Sequence, residues 1–451
     1  MTNMILTNDS KHVVSIGALK GNTSRNSVSL PSKLLKQYPS ISKIKIGQWI
    51  KNVHFIQNET LNTVQLTKDI LNKCGFNPGM ECNLKVEKDT LWLGPLVGLL
   101  TSSRYIRKLK EQHPSFRSLE MIKTNRKAKT VLFYFCTNDV NLKENTIEGT
   151  SFNELSGKWE RRTYPFPDVL YDRGSGRAVF KDKKHVIVRQ KISEIPVSKV
   201  NAQHYFDKWD LHEKLNQYNE MKPYLPETKL YDTQELKEML KKYSTIYLKS
   251  AIGSMGRRVM RITKDKSYNS SYYRKKLKIK KHYNFDDIHS VVKRFFGGDK
   301  IIMQQGIDLF RIDNRNVDMR ATVQRNGSGD LVINSIAVRI GVEGSPVTST
   351  RTGSNVLPLN KFLENYGENF SSDVKKRIEN FLLQTYRCIE NVYGSFGEMG
   401  IDFGLDKKGD VYFIESNAKP AKDSLYKSHN KKTIRNAFQN PLEYAKYLAK
   451  F

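Results

Sequence analysis

The stretch that decides the fold lies near the carboxyl end, where residues 399–417 read MGIDFGLDKKGDVYFIESN. Two apolar segments, 399–405 and 410–416, flank a turn that contains a glycine, and this pattern predicts a β-hairpin. With Leu405 opposite Asp410, the register of the hairpin is fixed. Side chains alternate along each strand, so the register also decides which polar residues share a face.

That register places Asp402 opposite Phe413 and makes Glu415 the diagonal neighbour of Asp402 on the same face. Asn417 projects the same way, two residues beyond Glu415. Two carboxylates and a carboxamide oxygen form a hard-oxygen set that suits Mg²⁺ carrying nucleotide phosphates. Ordinary surface acids on a solvated hairpin are the simpler interpretation of this motif alone. Both acids lie within apolar strands, however, where an unpaired carboxylate is costly, and this favours a binding site.

A second motif spans residues 246–262, where an apolar strand ends in Lys249. A Gly/Ser-rich turn follows, and residues 259–262 predict a returning strand. Such a turn exposes backbone N–H groups to phosphate oxygens, and the strand lysine can reach an α-phosphate. It is not a Walker A loop, since no Gly-Lys-Ser/Thr opens a helix. By itself the motif is weak, because most Gly-Ser hairpins are only turns.

Two further strands carry arginines. Residues 300–307 predict a buried strand that runs into an irregular segment, and residues 317–324 carry an Asp-x-Arg pair ending at Arg320. The neighbouring strand, residues 331–340, adds Arg339. Either arginine alone would be interpreted as half of a structural ion pair. Their order along the chain, after the lysine strand and before the hairpin, is what favours a shared site.

The rest of the chain predicts a mixed α/β (α+β) architecture. The first 95 residues read as short strands and turns, which indicates a small β-rich domain at 1–95. An α/β domain follows at 96–200, and a larger domain occupies 201–451, with a lid at about 225–305 and a catalytic part at 306–451. Helical spacing of apolar residues predicts a core helix from Val374 to Tyr393, capped by Ser371 or Ser372 and ended by Gly394.

Composition narrows the functional class. The 451 residues carry 76 Lys and Arg against 46 Asp and Glu, a formal charge of +30, which implies attraction to an anionic partner. Residues 251–300 hold 14 basic and 4 acidic side chains, so the charge is uneven. The 4 cysteines have no metal-ligand spacing and do not suggest a disulfide framework. No signal pattern or membrane span is evident, so a cytoplasmic protein is expected.

The order of motifs resembles the ATP-grasp superfamily, and within it the YheC/YheD family of Bacillus-type endospore coat-associated proteins. The resemblance covers nearly the whole chain, and the final hairpin is its most specific part. It implies an ATP-grasp fold with a small β-rich N-terminal domain, and ATP and Mg²⁺ as cofactors. The stretches that carry it are residues 94–98, 166–173, 206–209, 225–228, 304–307, 400–406 and 414–420.

The resemblance also implies roles for individual residues. Phosphates would be contacted by Lys208 and Lys249, with a glycine-rich lid closing over them, and adenine would be held near residues 304–307. Arginines would stabilise the phosphoryl group and an acyl-phosphate intermediate. The implied set is Lys249, Arg320 and Arg339 for catalysis; Lys208, Lys249, Gly253, Ser254, Gly256, Gln304, Gln305 and Ile307 for ATP; and Asp402, Glu415 and Asn417 for one or two Mg²⁺.

The chain departs from the family pattern where an acceptor would bind. The usual Tyr-Asn-Arg is Tyr-Asp-Arg at residues 171–173, and the usual Thr-Asn and Gly-Gly of the substrate loop are absent from residues 348–354. Arg173 and Arg351 fall in these segments and are the candidate substrate-binding residues. The departures therefore concern the substrate site, and the nucleotide and metal motifs keep the family pattern.

Three functions remain open from the sequence. The first is a Mg-ATP-dependent ligase that joins a carboxylate to an amine through an acyl phosphate, with an acidic peptide as one candidate substrate. The second is a spore-coat-associated structural or interaction protein that retains a nucleotide-binding ATP-grasp fold. The third, prompted by the +30 charge, is a nucleic-acid-binding protein, but no helix-turn-helix or zinc signature supports it. The identity of the substrates and the oligomeric state are not determined by the sequence.

Overall fold

The computed structural model describes residues 12–19, 25–60, 62–174, 183–253 and 258–451. The chain divides into two compact units. The first comprises residues 1–204, 325–330 and 438–451, and the second comprises residues 205–324 and 331–437. The finer division predicted at residues 95, 200 and 305 stays a prediction.

The first unit begins with a mixed sheet in which both parallel and antiparallel strands occur. Its strand order is β4-β3-β8-β7-β1-β6-β2-β5, so the first strand lies in the middle and pairs with β6 and β7. Most of the described residues up to Gly94 form short strands, as the sequence predicted. The strands are β1 (His12–Ala18), β2 (Ser27–Pro31), β3 (Lys43–Ile46), β4 (Trp49–Asn52), β5 (His54–Asn58), β6 (Thr63–Leu66), β7 (Glu81–Glu87) and β8 (Thr90–Gly94).

A second sheet of the first unit has the order β11-β12-β10-β9-β14-β15, with β13 paired to β12. One buried apolar cluster runs through both sheets, which explains why they form a single unit. Its strands are β9 (Leu96–Leu100), β10 (Val131–Phe135), β11 (Val140–Asn141), β12 (Thr146–Asn153), β13 (Lys158–Pro165), β14 (Val169–Asp172) and β15 (Ser198–Lys199). The helices are Ser32–Gln37, Lys68–Cys74, Ser103–Lys110, Phe116–Ala128 and Lys183–Glu194, with a 3₁₀ turn at Thr137–Asp139.

The second unit begins with an antiparallel sheet of order β16-β21-β17-β18-β19-β20. Its core is formed with the helices Thr233–Lys242 and Phe285–Phe296, whose apolar residues recur at helical spacing. The strands are β16 (Thr228–Leu230), β17 (Thr245–Ser250), β18 (Val259–Lys264), β19 (Tyr268–Tyr273), β20 (Leu277–His282) and β21 (Ile301–Gln305). The helix Lys208–Leu215 and a 3₁₀ turn at Lys222–Tyr224 precede this sheet.

The last sheet has the order β25-β24-β23-β26-β27, with β22 paired to β23. The long helix Val374–Tyr393 packs its apolar face into the core of this sheet. The strands are β22 (Arg311–Ile312), β23 (Arg315–Arg325), β24 (Leu331–Ile340), β25 (Asn355–Pro358), β26 (Glu398–Leu405) and β27 (Val411–Asn417). The remaining helices are Leu359–Tyr366, Asp423–Ser428 and Lys431–Leu448, with 3₁₀ turns at Thr350–Thr352 and Gly367–Asn369.

The long helix confirms the predicted span and its end at Gly394, but the predicted cap is wrong. The N-cap residue is Asp373, and no side chain caps the first turn. The hydroxyl of Ser371 instead donates a hydrogen bond to Asp373 Oδ1 at 2.6 Å. The Val374 N–H donates to the backbone carbonyl of Ser371 at 3.0 Å, so the first turn is closed by backbone rather than by a serine side chain.

The register predicted for the final hairpin is also wrong. Leu405 pairs with Val411 rather than Asp410, and an irregularity between Asp402 and Phe403 places Asp402 directly opposite Glu415. The turn takes one residue more than predicted, since Asp406 Oδ1 accepts the backbone N–H groups of Lys408 and Asp410. A β-bulge adds a residue to one strand and changes which side chains face each other. It therefore brings the two acids closer than the predicted diagonal.

Among the described residues, no helix is long and apolar enough to cross a membrane.

Candidate functional site

One cleft of the second unit collects most of the predicted site residues. Together with the solvent space at its open mouth, it encloses about 1520 Å³. Both sheets of the unit contribute to its walls. The predicted residues that line it are Lys208, Lys249, Gly253, Gln304, Gln305, Ile307, Arg320, Arg339, Arg351, Asp402 and Glu415.

Lys249 lies at the end of β17 with only 8% of its surface exposed. Its ammonium donates to Gln304 Oε1 at 2.6 Å. Burial, with a smaller contribution from the charge of Lys208, lowers the pKa of Lys249 to about 8, although the charge of Glu415 opposes the shift. The lysine is therefore a desolvated cation, whose interaction with an anionic ligand is stronger than it would be in water.

The strand β21 supplies Gln304 and Gln305, the residues implied to hold adenine. Gln304 is buried, and its Nε2 donates to Thr228 Oγ1 at 3.1 Å, so both ends of its carboxamide already have protein partners. Gln305 Oε1 accepts the backbone N–H of Glu227 at 3.2 Å. These contacts make Gln304 the residue that orients Lys249. The adenine role stays a prediction.

Four side chains form an alternating row of charge, the charge ladder Arg320–Asp402–Arg339–Asp318. Arg320 Nε donates to Asp402 Oδ1 at 2.5 Å, and Arg339 Nη2 donates to Asp402 Oδ2 at 3.1 Å. Arg339 also holds Asp318 with both arms of its fork, at 2.6 and 2.7 Å. Such bidentate pairs fix the guanidinium planes as well as attract the charges. The ladder thus places two rigid cations in the cleft.

The carboxyl of Asp402 is almost fully enclosed, since only 4% of its side chain is exposed. Burial opposes its ionisation, but the Arg320 and Arg339 charges outweigh burial and hold the pKa of Asp402 below its usual range. The acid is therefore charged at neutral pH. The negative charge of Asp402 offsets the repulsion between the Arg320 and Arg339 guanidinium groups, so the two can lie side by side in the cleft.

Glu415 stands directly opposite Asp402 in the hairpin. Its Oε1 accepts from Asn417 Nδ2 at 3.2 Å, and its carboxylate lies 3.7 Å from both Lys208 Nζ and Arg320 Nη2. At that distance the cations are attracted to Glu415 without saturating its lone pairs. The structure thus brings Asp402 and Glu415 together in the cleft beside Lys208, whereas Asn417 contacts Glu415 but is not among the residues that line the cleft.

Lys208 opens the helix Lys208–Leu215, which the side chain of Asp207 caps. The Lys208 ammonium donates to the carbonyl of Gly253 at 2.7 Å, and its backbone N–H donates to the carbonyl of Ala251 at 3.0 Å. The helix start and the beginning of the glycine-rich turn are therefore tied together. Ser254 and Gly256, the other predicted residues of that turn, lie outside the described residues.

Asp402, Glu415 and Asn417 are the residues that could hold a divalent cation, and this role stays a prediction. A carboxylate offers about four lone-pair positions, and the described donors to Asp402 use three of them. Glu415 accepts a hydrogen bond from Asn417, which leaves the amide oxygen of Asn417 available. No group of three or more His, Cys, Asp or Glu side chains with metal-binding geometry occurs in the described ranges. A bound Mg²⁺ would thus take ligands from Asp402, Glu415, Asn417 and the nucleotide phosphates.

Sequence reasoning left two cleft residues without a role. Asp318 was noted only as part of a strand pattern, yet it holds Arg339 in place. Lys422 lines the cleft and forms an ion pair with Glu398 in which both side chains are essentially unexposed. The lysine follows the hairpin closely, but no periodicity marks it, because the residue adopts a left-handed turn with φ +57°.

The two candidate substrate residues differ in position. Arg351 lies in the 3₁₀ turn Thr350–Thr352, exposed at the rim of the cleft. Arg173 belongs to the first unit, where its guanidinium donates to the hydroxyl of Tyr171 at 3.1 Å. The substrate roles of both stay predictions.

The fold and the cleft define an ATP-grasp protein. A family model described as YheC/D like ATP-grasp matches residues 197–448, which is more than half of the chain and includes the whole second unit. The chain therefore belongs to the YheC/D-like ATP-grasp family, as its motifs predicted.

Curated relatives agree with this assignment. The chain is 25% identical over 437 residues to endospore coat-associated protein YheD of Bacillus subtilis (strain 168), covering 95% of this chain and 94% of that protein. It is 23% identical over 329 residues to endospore coat-associated protein YheC of the same strain, covering 70% and 88%. Among solved structures it is similar to D-cycloserine synthetase DcsG, with a TM-score of 0.48, 10% identity, and coverage of 78% and 99%.

Proposed function

We propose that the protein is a Mg-ATP-dependent ligase that joins a carboxylate to an amine through an acyl phosphate, releasing ADP and phosphate. The observation that carries this proposal is the meeting of three features in one cleft: buried Lys249, Glu415 with its open lone pairs, and the charge ladder. Each feature meets a different requirement of phosphoryl transfer, which depends on positioning and on stabilisation of negative charge.

In this mechanism the lysines act first. Lys249 and Lys208 bind the phosphate oxygens of ATP, and Gln304 keeps the Lys249 ammonium aimed into the cleft. Asp402, Glu415 and Asn417 would hold a Mg²⁺ ion, which would supply positive charge to neutralise the phosphates. The substrate carboxylate oxygen then attacks the γ-phosphorus, and ADP leaves.

The arginines act on the second half of the reaction. The amine attacks the acyl carbon, the acyl C–O bond breaks, and phosphate leaves with the proton that the amine nitrogen loses, while negative charge develops on the oxygens of the reacting centre. Arg320 and Arg339 are already fixed by Asp402 and Asp318, so they stabilise that charge without reorganising. The anions of the ladder therefore act as positioning residues for the arginines.

The direct test is ADP release by the full chain with Mg-ATP and a panel of acids paired with amines. Glu415→Gln should abolish release, while Glu364→Gln, an exposed acid of the same unit, should release ADP like the parent. Equal rates for parent and Glu415→Gln would contradict the proposed site. Release that needs no amine would contradict amide formation and leave only phosphoryl transfer to the acid or to water.

Arg351 tests the acceptor side of the cleft. It is exposed at the rim, so Arg351→Ala should weaken use of an anionic substrate and leave Mg-ATP binding intact. The association rate of such a substrate should fall as salt shortens the Debye length to about 8 Å. An uncharged working substrate, or normal turnover by Arg351→Ala, would contradict this assignment.

A second candidate is a coat-associated protein that binds nucleotide without turnover. It is favoured by the names of both Bacillus relatives and by a surface charge suited to an anionic layer. The two functions differ in one readout. A coat protein would be stabilised by Mg-ATP but would release no ADP with any acid and amine. The ligase would be stabilised by Mg-ATP and would also release ADP.

A further inference from the structure

The strongest feature outside the cleft is the basic edge of the first sheet of the second unit. Residues 274–281 read RKKLKIKK, with no acid among them. Most of these side chains are exposed, including Ile279 at 60%. Within the described ranges, none of the six basic side chains of this segment forms an ion pair. The segment carries far more uncompensated charge than solubility of one strand requires.

Most of this segment is the strand β20, which ends the sheet. In the described part of the chain β20 pairs with β19 alone, so its outer edge presents free backbone N–H and C=O groups. Lysines on such an edge repel a second copy of the same strand. They attract an acidic strand by the same charge, so the edge discriminates between partners.

The register of the sheet connects this edge to the cleft. Ile279 pairs with Ser271, Ser271 with Arg261, Arg261 with Tyr247, and Tyr247 with Gln304, so one row crosses the sheet. Tyr247 and Gln304 line the cleft. Strands lie about 4.8 Å apart, so Ile279 is roughly 14 Å from Tyr247, a span that about four extended residues cover.

A loop continues the path from the edge to the cleft mouth. The carbonyl of Gly344 accepts from Arg261 Nη2 at 3.0 Å. Ile279 packs so closely on Gly344 that a Cβ there would lie 3.0 Å from Ile279 Cδ1. The same loop runs on to Pro346 and Arg351 at the cleft. A chain held on β20 is therefore next to the loop that borders the reaction site.

We propose that β20 is the docking strand for an acidic, extended peptide segment of the substrate, which adds to the sheet edge and leads into the cleft. Main-chain hydrogen bonds supply the affinity, as in other strand additions, and Lys278 and Lys280 select carboxylates. The inference rests on the proposed ligase function for the fate of the peptide. Its docking step needs no nucleotide and can be measured alone.

Single-stranded nucleic acid is the other anionic polymer that a basic strand attracts. It is bound on exposed aromatic platforms on which successive bases stack. Tyr272 of the neighbouring strand is buried against Phe295, with ring centroids 4.7 Å apart. Tyr283, next to β20, is exposed, but the Lys281 ammonium already lies 5.4 Å from its ring centroid. The local side chains therefore favour a peptide.

The test measures anisotropy of a short fluorescein-labelled peptide of alternating Glu and Thr residues, with the full chain at low salt and without ATP. The variant Lys278→Glu/Lys280→Glu should bind about tenfold more weakly than the parent. The control Lys375→Glu/Lys376→Glu changes the net charge equally on the exposed face of the long helix of the same unit, and should bind like the parent. Equal weakening in both variants would overturn the proposal.

Two further probes separate strand addition from general attraction. N-methylation of alternate peptide bonds removes main-chain donors, so at least one of the two methylated registers should lose binding. Retained binding by both registers overturns strand addition. An oligothymidylate of matched charge should bind more weakly than the peptide, and tighter binding that depends on Lys278 and Lys280 would assign the strand to nucleic acid.

The docking step and the ligase function fail independently. A parent that binds the peptide through β20 but never releases ADP supports docking and refutes the ligase. ADP release together with peptide binding that is indifferent to Lys278→Glu/Lys280→Glu refutes docking alone. Circular dichroism of the double variant must match that of the parent, which shows that a loss is not due to unfolding.

Discussion

The cleft and the edge strand β20 belong to the same unit and are both densely charged, but their charges have opposite surroundings. In the cleft, Arg339 and Asp402 are nearly unexposed and each contacts a charge of opposite sign. On β20, Lys280 is exposed and, within the described residues, has no carboxylate partner. Both regions lie on strands, so secondary structure does not explain the difference.

The comparison shows that buried and exposed charges have different roles in this protein. Buried charges must be paired, and their fixed geometry is then suited to holding reactive groups in place. Exposed charges remain hydrated and contribute little to stability, but they act at a distance on association. Substitutions in the cleft should therefore be costly to the fold or to nucleotide binding, and substitutions on β20 should affect only the partner.

The largest change in the free energy of unfolding is expected for substitutions in the charge ladder. Arg339→Ala leaves Asp318 buried without its partner and should lower the free energy of unfolding by roughly 3–5 kcal/mol. The exposed pair of Arg311 with Asp308 is the matched control, and Arg311→Ala should cost about 1 kcal/mol or less. Urea unfolding of both variants measures the two costs. Similar costs would remove the distinction between buried and exposed charge.

The second-largest effect is the contribution of Lys249 to the free energy of unfolding, which depends on pH. The pKa of Lys249 is lowered from 10.5 to about 8 in the folded protein, so between these values the unfolded chain binds more protons. Stability attributable to Lys249 therefore rises with pH across this window, by on the order of 3 kcal/mol, and is constant below it. Urea unfolding of the parent and of Lys249→Met at pH 7 and pH 10 measures the change.

The other titrating groups contribute equally to the parent and to Lys249→Met, so their contributions cancel when the free energies of unfolding of the two proteins are subtracted. Two pH profiles that run parallel from pH 7 to pH 10 would mean that Lys249 is not desolvated, and its place in the cleft would need revision.

The third-largest expected effect is the stabilisation of the fold by bound nucleotide. Mg-ATP at 100 times its dissociation constant should stabilise the parent by roughly 2.7 kcal/mol, seen as a higher melting temperature. Glu415→Ala and Lys249→Ala should lose this stabilisation because each removes a group proposed to contact the phosphates or their metal. Glu364→Ala, an exposed acid, should keep it. No shift for the parent would contradict both the ligase and the non-catalytic nucleotide-binding protein.

The smallest effect is expected on the edge strand. Lys280→Ala removes an exposed charge and should change the free energy of unfolding by less than about 0.5 kcal/mol. Thermal unfolding at low and high salt measures it. A larger loss would mean that the lysine stabilises the sheet, and β20 would then resemble the cleft rather than contrast with it.

Local patterns predicted much of the second unit. Alternation along a strand placed Asp318 and Arg320 on one face, and it also put Glu415 and Asn417 on the face of Asp402. Helical spacing predicted the helix Val374–Tyr393. These features depend on neighbours within a few residues, which is why the sequence reveals them.

Other features depend on residues that are distant in the chain. Arg320 and Asp402 are 82 positions apart, Arg339 and Asp402 are 63 apart, and Lys249 and Gln304 are 55 apart. No periodicity reports such contacts, so the charge ladder and the partner of Lys249 could not be predicted. The bulge in the hairpin was missed for a related reason, since turn length and register are fixed together by the packing of both strands.

The sequence was sufficient to recognise the ATP-grasp family, because its motifs resemble those of the family in their order, and the family match over residues 197–448 confirms that resemblance. It was also sufficient to predict the motif-bearing strands, because local propensity and side-chain alternation need no knowledge of distant contacts. Only the tertiary structure decided which charges are buried and paired and which remain on an open edge. Burial is a property of the assembled sheets, and the desolvation that lowers the pKa of Lys249 exists only once they have packed.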